Sequence, residues 1–360
     1  MSLNRNNNGF YLVDTEDESE YDITININSL YKNESKYSLW MNKNKERTLL
    51  KTDSKPAYII NLFSELLFSK FAENNNIKSA KIDGAIVDNR SVGVLSKDVV
   101  SEGATGFTLS DLLVFSIDAF SEFDTSLIDS GYTTVDLVVG AIKVFAKKSG
   151  TKLDKDIRLS LLKMVLVDYL TVQADRHAQN FMFEIQNAHN ENVLKLCPMF
   201  DNEEIFSAGK FISEFEENPA LLEEFLKNKT AYSKDLEFMF KTEIKECLTN
   251  RQPALGITAS VNPSSYAKSY LEIFTGIPIK KALEAFKADL VKELVNNSSL
   301  MEFYKSLKFD GDLYAKQIQD ETGISLPHIF IESANEQFML RKMSLDLALL
   351  KTAGTEPGEE

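Results

Sequence analysis

Short apolar stretches separated by polar turns dominate the first hundred residues of this chain. Residues 37–41 and 47–51 form one such pair, and residues 80–87 and 91–95 form another. Stretches of this length, bounded by polar residues, are typical of β-strands. The pattern therefore predicts two β-hairpins in this part of the chain.

A single helix is predicted between the two hairpins. Apolar residues recur at helical spacing over residues 57–74. The preceding Asp53, Ser54 and Pro56 offer a capping side chain and a proline for the first turn. Three consecutive asparagines, residues 74–76, are expected to end this helix.

Beyond residue 100 the apolar spacing becomes mostly helical. Residues 133–148 and 154–171 give the clearest helical patterns, and helices with short breaks between them are predicted from 236 to 351. Two short apolar stretches, 181–185 and 193–197, interrupt the helical pattern and predict one more β-hairpin.

These elements predict an α+β protein with two lobes. A small mixed lobe would occupy residues 1–100, and a larger, mostly helical lobe residues 101–352, followed by a disordered tail over residues 353–360. At 360 residues the chain is longer than a usual single-core domain, which supports two packed lobes. Within the larger lobe, the acidic stretch 203–235 is expected to be rich in loops.

Composition and charge argue against several classes of protein. The formal net charge of −14 opposes a nucleic-acid surface, because phosphate binding needs a basic face. Cys197 and Cys247 follow no metal-ligand spacing, which indicates a reducing compartment. The polar N-terminus lacks the apolar core of a signal peptide, and no stretch is long and apolar enough to span a bilayer. A cytoplasmic protein that binds no nucleic acid directly is therefore expected.

One constellation of polar residues carries a chemical signal. Asp175 and Asn180 are separated by four residues, and Asp201 follows the predicted hairpin. Protein-kinase-like enzymes place a catalytic aspartate and their Mg²⁺ ligands in this order. The hairpin would return Asp201 to the end where Asn180 lies, and a carboxylate is a hard ligand suited to Mg²⁺. We therefore predict a phosphotransferase site with ATP and Mg²⁺ as cofactors.

The same loop has a plainer interpretation. Asp175 could cap a turn and pair with Arg176 in a polar loop that has no catalytic function. We favour the catalytic interpretation because the hairpin and Asp201 follow the loop. His177 could order the loop or contact a phosphate, and a structural role explains it equally well.

A cation for the nucleotide phosphates is predicted in the small lobe. Lys51 ends a strand directly before the helix, and Glu65 within that helix could pair with it. The alternatives are a solvated strand end for Lys51 and an ordinary helix charge for Glu65, with Lys43, Lys45 and Glu73 as the nearest competitors. No Gly-x-Gly-x-x-Gly sequence is present, so a different loop would have to cover the phosphates.

The motif region resembles the C-terminal kinase core of HipA-type serine/threonine kinases. The resemblance is carried by residues 175–180 (Asp-Arg-His-Ala-Gln-Asn), by the hairpin, and by residues 198–201 (Pro-Met-Phe-Asp). The first motif is also similar to that of phosphatidylinositol 3- and 4-kinases. The resemblance is specific over residues 160–206 and looser over residues 37–100. It implies a two-lobed protein-kinase-like fold, with a small mixed N-terminal lobe and a larger, mostly helical C-terminal lobe.

The resemblance also implies a role for each matching residue. Asp175 would be the catalytic aspartate, with His177 beside it in the catalytic loop. The residues implied for cofactor binding are Lys51, Glu65 and Val99 for the nucleotide, with Val99 at the start of the connector that holds adenine, and Asn180 and Asp201 for Mg²⁺.

These inferences predict a Mg²⁺- and ATP-dependent kinase whose acceptor is a serine or threonine of a protein, the chain itself included. Ser207 and Ser213 follow Asp201 and are candidate acceptors. The alternatives are a lipid or small-molecule kinase, transfer of AMP, and a nucleotide-binding interaction module without catalysis. The absence of a basic or amphipathic membrane-binding stretch weighs against a phosphoinositide acceptor.

Overall fold

A computed structural model describes most of the chain. The residues it describes are 11–13, 36–43, 46–53, 55–87, 91–109, 111–112, 134–173, 176, 178–188, 191–227, 231–248 and 279–354. The strands are β1 (Tyr11–Val13), β2 (Lys36–Lys43), β3 (Glu46–Asp53), β4 (Ile82–Val87), β5 (Ser91–Lys97), β6 (Thr105–Thr108), β7 (Lys152–Leu153), β8 (Met182–Ala188) and β9 (Glu191–Leu196). The helices are α1 (Ile59–Asn74), α2 (Thr134–Ser149), α3 (Ile157–Leu170), α4 (Ala208–Glu217), α5 (Pro219–Leu226), α6 (Lys234–Glu246), α7 (Ile279–Asn296), α8 (Ser298–Ser306), α9 (Gly311–Thr322) and α10 (His328–Thr352).

These elements belong to two compact units. One division of the chain falls between Val99 and Val100, beside the predicted lobe boundary at residue 100. Two later segments also belong to the first unit, so the chain passes between the units several times. The predicted lobe limits stay predictions. The first unit comprises residues within 1–99, 200–243 and 309–335, and the second comprises residues within 100–199, 244–308 and 336–360.

The first unit contains a five-stranded sheet with the strand order β1-β4-β5-β3-β2. Both predicted hairpins are confirmed, because β2 pairs antiparallel with β3 and β4 pairs antiparallel with β5. Strand β1 joins the sheet parallel to β4. Strand β3 is flanked on both sides, with Ser38 of β2 and Val94 of β5 opposite Lys51.

Helix α1 begins after a single 3-10 turn, Pro56–Tyr58, as the proline in the sequence predicts. The amide of Tyr58 donates to the carbonyl of Lys55 at 3.1 Å and closes this turn. Lys55 and Tyr58 occupy the two N-cap positions, and neither makes a capping hydrogen bond through its side chain. The side chains of Asp53 and Ser54, predicted to cap the helix, lie outside the described residues.

The end of α1 confirms the prediction from the three asparagines. Asn76 has a left-handed backbone with a φ of 54°. Its amide donates to the carbonyl of Glu73 at 3.3 Å, and the amide of Ile77 donates to the carbonyl of Ala72 at 2.8 Å. This pair of bonds is a Schellman motif, and asparagine is one of the few residues that adopt its left-handed position readily. The C-terminal end of α1 is therefore set by this motif.

Aromatic side chains form much of the core of the first unit. The ring of Phe71 on α1 lies 5.5 Å from the ring of Phe309, which lies 5.0 Å from Phe206. Phe211 on α4 stacks on Phe240 of α6 with a centroid distance of 4.2 Å. Each buried ring removes a large apolar area from water and contributes roughly 2–3 kcal/mol.

The acidic stretch 203–235 is largely helical, so the prediction of a loop-rich segment is wrong. Helices α4 and α5 occupy most of it. Phe211 and Phe215, one turn apart on α4, are buried, whereas Glu214 and Glu216 are exposed. The acidic residues belong to the solvent face of an amphipathic helix, and their number concealed the apolar spacing.

The second unit contains a four-stranded sheet with the order β6-β8-β9-β7. Its centre is the antiparallel pair β8–β9, which confirms the hairpin predicted before Asp201. Residues 98–104 lie between β5 and β6 without strand or helix structure, so Val99 does lie in a connecting segment. The predicted helices 133–148 and 154–171 correspond to α2 and α3.

Helix α3 is buried along most of its length. Leu161, Val165 and Leu166 are fully buried, and so is the charged residue Asp168.

At the C-terminal end of the described chain, α10 ends at Thr352, and the tail from 355 to 360 lies outside the described residues. None of the helices in the described ranges has the length and apolar character to cross a membrane.

Candidate active site

The predicted lysine lies at the centre of a charged group in the first unit. Lys51 Nζ donates to Glu65 Oε1 at 2.7 Å and to Asp201 Oδ1 at 2.6 Å. Glu203 Oε2 lies 3.8 Å from the same nitrogen. We call these four residues the lysine–carboxylate cluster. The structure thus brings together Lys51, Glu65 and Asp201, three of the residues that the sequence predicted for the site.

Two rigid elements position Lys51 and Glu65. Lys51 lies on β3, whose backbone pairs with strands on both sides. Glu65 lies in the middle of α1, the helix fixed at its start by a 3-10 turn and at its end by a Schellman motif. Sites built on such elements hold their geometry better than sites built on loops.

A tightly bent segment supplies the other two carboxylates. Asp201 has a φ of 54°, in the left-handed region that aspartate enters more readily than most residues. Phe206 and Ser207 are also left-handed, with φ values of 51° and 62°. The side chains of Phe206, Ser207 and Asn202 are buried, and their packing stabilises the bend. The surrounding packing therefore stabilises a strained segment, as is common at functional sites.

The cluster is mostly buried and carries an excess of negative charge. The exposed fractions of the side chains are 15% for Lys51, 1% for Glu65, 25% for Asp201 and 10% for Glu203. Burial alone would lower the pKa of the Lys51 ammonium, but the Asp201 and Glu65 carboxylates outweigh it and raise that pKa above its ordinary value. Lys51 is therefore cationic, and within the cluster it is one cation beside three carboxylates.

The carboxylates of the cluster fit a divalent cation. One oxygen from each of Glu65, Asp201 and Glu203 lies within 4.8 Å of the others. At that distance two negative charges repel each other by roughly 3 kcal/mol at an effective dielectric constant of 20. Opposite ligands of a Mg²⁺ ion lie about 4.2 Å apart, so small shifts would suit the ion. Glu65 Oε2 is buried and makes no hydrogen bond to the described residues, so its acceptor capacity is not used there.

A second buried ion pair lies in the second unit. Arg176 Nε donates to Asp168 Oδ2 at 3.1 Å, and Arg176 Nη2 donates to Asp168 Oδ1 at 3.2 Å. Arg176 Nη1 also donates to the backbone carbonyl of Asn180 at 3.3 Å. Both charged side chains are fully buried. Burial raises the pKa of the Asp168 carboxyl, and the Arg176 guanidinium opposes that effect. The pair ties the motif loop to the end of α3.

The catalytic residues of the motif, Asp175 and His177, lie outside the described residues. Their roles therefore stay predictions from the sequence. The chain enters this loop through Val172, which is fully buried and has a φ of 54°. A left-handed backbone is rare for a β-branched residue. Asn180, at the other end of the motif, is buried in the second unit.

The competing assignments can be compared with the structure. Glu73 pairs with Lys70 at 2.9 Å on an exposed part of α1, so Glu65 is the glutamate that binds Lys51. Lys45 and the side chain of Lys43 lie outside the described residues. The adenine-binding role of Val99 stays a prediction.

Sequence reasoning missed Glu203 and Asp168. A signal existed for each of them. Glu203 follows Asp201 by two residues, close enough for both carboxylates to approach one cation after a bend. Asp168 is the one charged residue in the apolar stretch 164–170, which marks it as a buried charge in need of a partner.

No protein-family model matches the chain, and no curated protein matches it significantly. Among solved structures, the chain is similar to the proinflammatory kinase CtkA of Helicobacter pylori. The TM-score is 0.53 at 16% identity, over 91% of this chain and 95% of that one. This similarity shows that the chain has a kinase fold. A weaker similarity, with a TM-score of 0.35 and 13% identity over 93% of this chain and 70% of the other, is to HipA of Shewanella oneidensis MR-1, which was solved with HipB and operator DNA.

The predicted α+β, protein-kinase-like fold is therefore confirmed, and so is the resemblance to HipA-type kinases at the level of the fold. In this kinase fold, the residues of the lysine–carboxylate cluster belong to β3, to α1 and to the segment after β9.

Proposed function

We propose that this chain is a Mg²⁺- and ATP-dependent kinase that phosphorylates serine or threonine in a protein, its own chain included. The observation that carries the proposal is the Lys51 ammonium between Glu65 and Asp201. Protein kinases use a strand lysine paired with a helix glutamate to bind the nucleotide phosphates. The kinase fold and the motif over residues 175–180 support the same assignment.

Each residue has a distinct task in this proposal. Lys51 binds the nucleotide phosphates, and Glu65 fixes the position of its ammonium. Asp201 supplies a carboxylate for Mg²⁺, which when bound neutralises phosphate charge. Asp175 orients the acceptor hydroxyl and accepts its proton, and Asn180 supplies a further oxygen ligand for the metal. The tasks of Asp175 and Asn180 rest on the sequence motif.

The two candidate acceptor serines differ in accessibility. Ser207 is buried, whereas Ser213 is exposed on α4 and donates its hydroxyl to the carbonyl of Lys210 at 2.9 Å. Phosphorylation of Ser207 would require local opening of the chain, which costs free energy. If the chain phosphorylates itself within this segment, we therefore expect the phosphate on Ser213.

The test is incubation of the full chain with Mg²⁺ and ATP, with and without a general protein substrate, followed by intact-mass analysis. The parent chain should gain phosphate or transfer it to the substrate. The Asp201→Ala variant should lose Mg²⁺-dependent ATP binding, and Asp175→Ala should bind ATP without transferring phosphate. Asp312→Ala, at an exposed position on α9, is the matched control and should keep both properties.

Each outcome has a defined meaning. Unchanged turnover in Asp175→Ala would overturn the assignment of the catalytic aspartate. A mass gain that matches AMP would replace the proposal with nucleotidyl transfer. ATP binding without transfer to any protein would contradict a protein kinase, and lipids and metabolites would then be tested as acceptors.

A further inference from the structure

Glu203 is a carboxylate of the cluster to which the kinase-like motif gives no task. Its side chain is largely buried, and its Oε2 atom lies 3.8 Å from Lys51 Nζ. Lys51 approaches Glu65 and Asp201 much more closely, at 2.7 and 2.6 Å. Of the three carboxylates, Glu203 is thus the one that the lysine neutralises least.

Other buried polar atoms on α1 have unused hydrogen-bonding capacity. Glu65 is almost completely buried, and its Oε2 atom has no hydrogen-bond partner among the described residues. Asn61 is also buried, and neither its Nδ2 nor its Oδ1 has a partner within the same part of the chain. Asn61 precedes Glu65 by four residues, which places both on one face of the helix. Buried polar atoms are costly when unpaired, so the Oε2 atom of Glu65, which belongs to the cluster, points to a ligand.

The chemistry of this ligand follows from the charge and the donor atoms. The Lys51 ammonium lies 2.6 to 3.8 Å from the three carboxylates, whose oxygens lie within 4.8 Å of one another. A second cation would relieve their repulsion, and hard carboxylate oxygens select Mg²⁺ or Mn²⁺. The neighbouring residue Glu204 is not a member of this carboxylate group. Its carboxylate lies 2.7 Å from the position that a Cβ atom on Gly209 would take, at the start of α4.

We propose that Glu203, Asp201 and the Oε2 atom of Glu65 together bind a divalent cation before any nucleotide arrives, while Lys51 remains paired with Glu65 through Oε1. The inference rests on the proposed function in that the same cation then serves the nucleotide. It extends that function by assigning a metal ligand outside the family motif and by fixing an order of binding, with the metal first. No bond of the nucleotide is made or broken in this step.

The test measures Mn²⁺ binding to the full chain without nucleotide, by electron paramagnetic resonance or calorimetry, followed by competition with Mg²⁺. The parent chain should bind Mn²⁺, and Glu203→Gln should weaken binding about tenfold or more. Glu204→Gln removes the same charge from the adjacent residue and should change the affinity less than twofold. The melting temperature of each variant without metal shows whether it is folded.

Two results would overturn the inference. One is the absence of Mn²⁺ binding without nucleotide, and the other is equal affinity in the parent chain and in Glu203→Gln. Glu203→Asp keeps the charge and should retain part of the affinity, which separates ligation from a loss of packing. ATP binding with Mg²⁺ is measured on the same samples. If the parent chain binds ATP but Glu203→Gln changes nothing, only this inference fails, whereas a parent chain that binds no ATP contradicts the proposed function itself.

Discussion

Two of the buried charged groups among the described residues are built in opposite ways. In the second unit, the Asp168–Arg176 pair matches one carboxylate with one guanidinium, and both side chains are fully buried. In the first unit, the lysine–carboxylate cluster surrounds one ammonium with three carboxylates, and Asp201 is one-quarter exposed. The pair is closed and balanced, whereas the cluster is partly open and has an excess of negative charge.

This difference separates a structural role from a binding role. A balanced buried pair with several hydrogen bonds leaves little for a ligand to add, so Arg176 and Asp168 fix the motif loop to α3. An unbalanced group that is partly open to solvent gains free energy when a cation enters it. Burial of charge alone therefore does not identify a functional site, and the balance of charge is more informative.

The largest effect on stability is expected from breaking the balanced pair. Arg176→Met leaves the Asp168 carboxylate buried without its partner and should lower the free energy of unfolding by about 3–5 kcal/mol. The measurement is denaturant unfolding of the full chain. The double variant Asp168→Leu with Arg176→Met should recover much of the loss, because it leaves no buried charge. A loss below about 1 kcal/mol in Arg176→Met would show that the pair is not a structural anchor.

A smaller loss of stability is expected from removing the cation of the cluster. Lys51→Met should lower the free energy of unfolding by roughly 1–3 kcal/mol, because the partly exposed Asp201 retains contact with solvent. It should also weaken ATP binding. Added Mg²⁺ should raise the melting temperature of Lys51→Met more than that of the parent chain, since the ion replaces the lost positive charge. Equal increases in the two proteins would contradict the idea that cations compete for the cluster.

An exposed ion pair of the first unit gives the baseline for both comparisons. Lys55 and Glu216 approach to 2.7 Å, but their side chains are 52% and 37% exposed. Glu216→Gln should change the free energy of unfolding by about 0.2–1 kcal/mol, because solvent screens the pair. The same denaturant measurement tests it. A change as large as that of Arg176→Met would mean that burial does not govern these energies.

The smallest effect is expected from pH. The pKa of Lys51 is raised above its unfolded value of 10.5. Its ion pairs therefore contribute their full stability below that value and lose it only as the pH rises through the higher folded value. The difference in stability between the parent chain and Lys51→Met should vary by less than about 0.5 kcal/mol between pH 7 and 9. A steady decline over this range, measured by unfolding at several pH values, would contradict a charged, well-paired Lys51.

Local sequence patterns predicted much of the fold. The hairpin β2–β3, helix α1 with its asparagine end, and the hairpin β8–β9 follow from periodicity and turn residues, which act over a few neighbours. The prediction failed for residues 203–235, where acidic side chains concealed the buried face of α4. An amphipathic helix is identified by the residues that it buries. The core that buries them is formed by distant parts of the chain, so a local pattern does not reveal it.

By itself, the sequence determined the candidate chemistry: a lysine after a strand, a glutamate in the next helix, and Asp201 after a hairpin. Only the tertiary structure decided which charges meet. In the folded chain, Lys51 pairs with Glu65 and not with Glu73, and Glu203 lies near the same lysine. Arg176 pairs with Asp168. The physical reason is that charge pairing in a folded protein depends on distance and burial, and residues far apart in the sequence acquire both only when the chain packs.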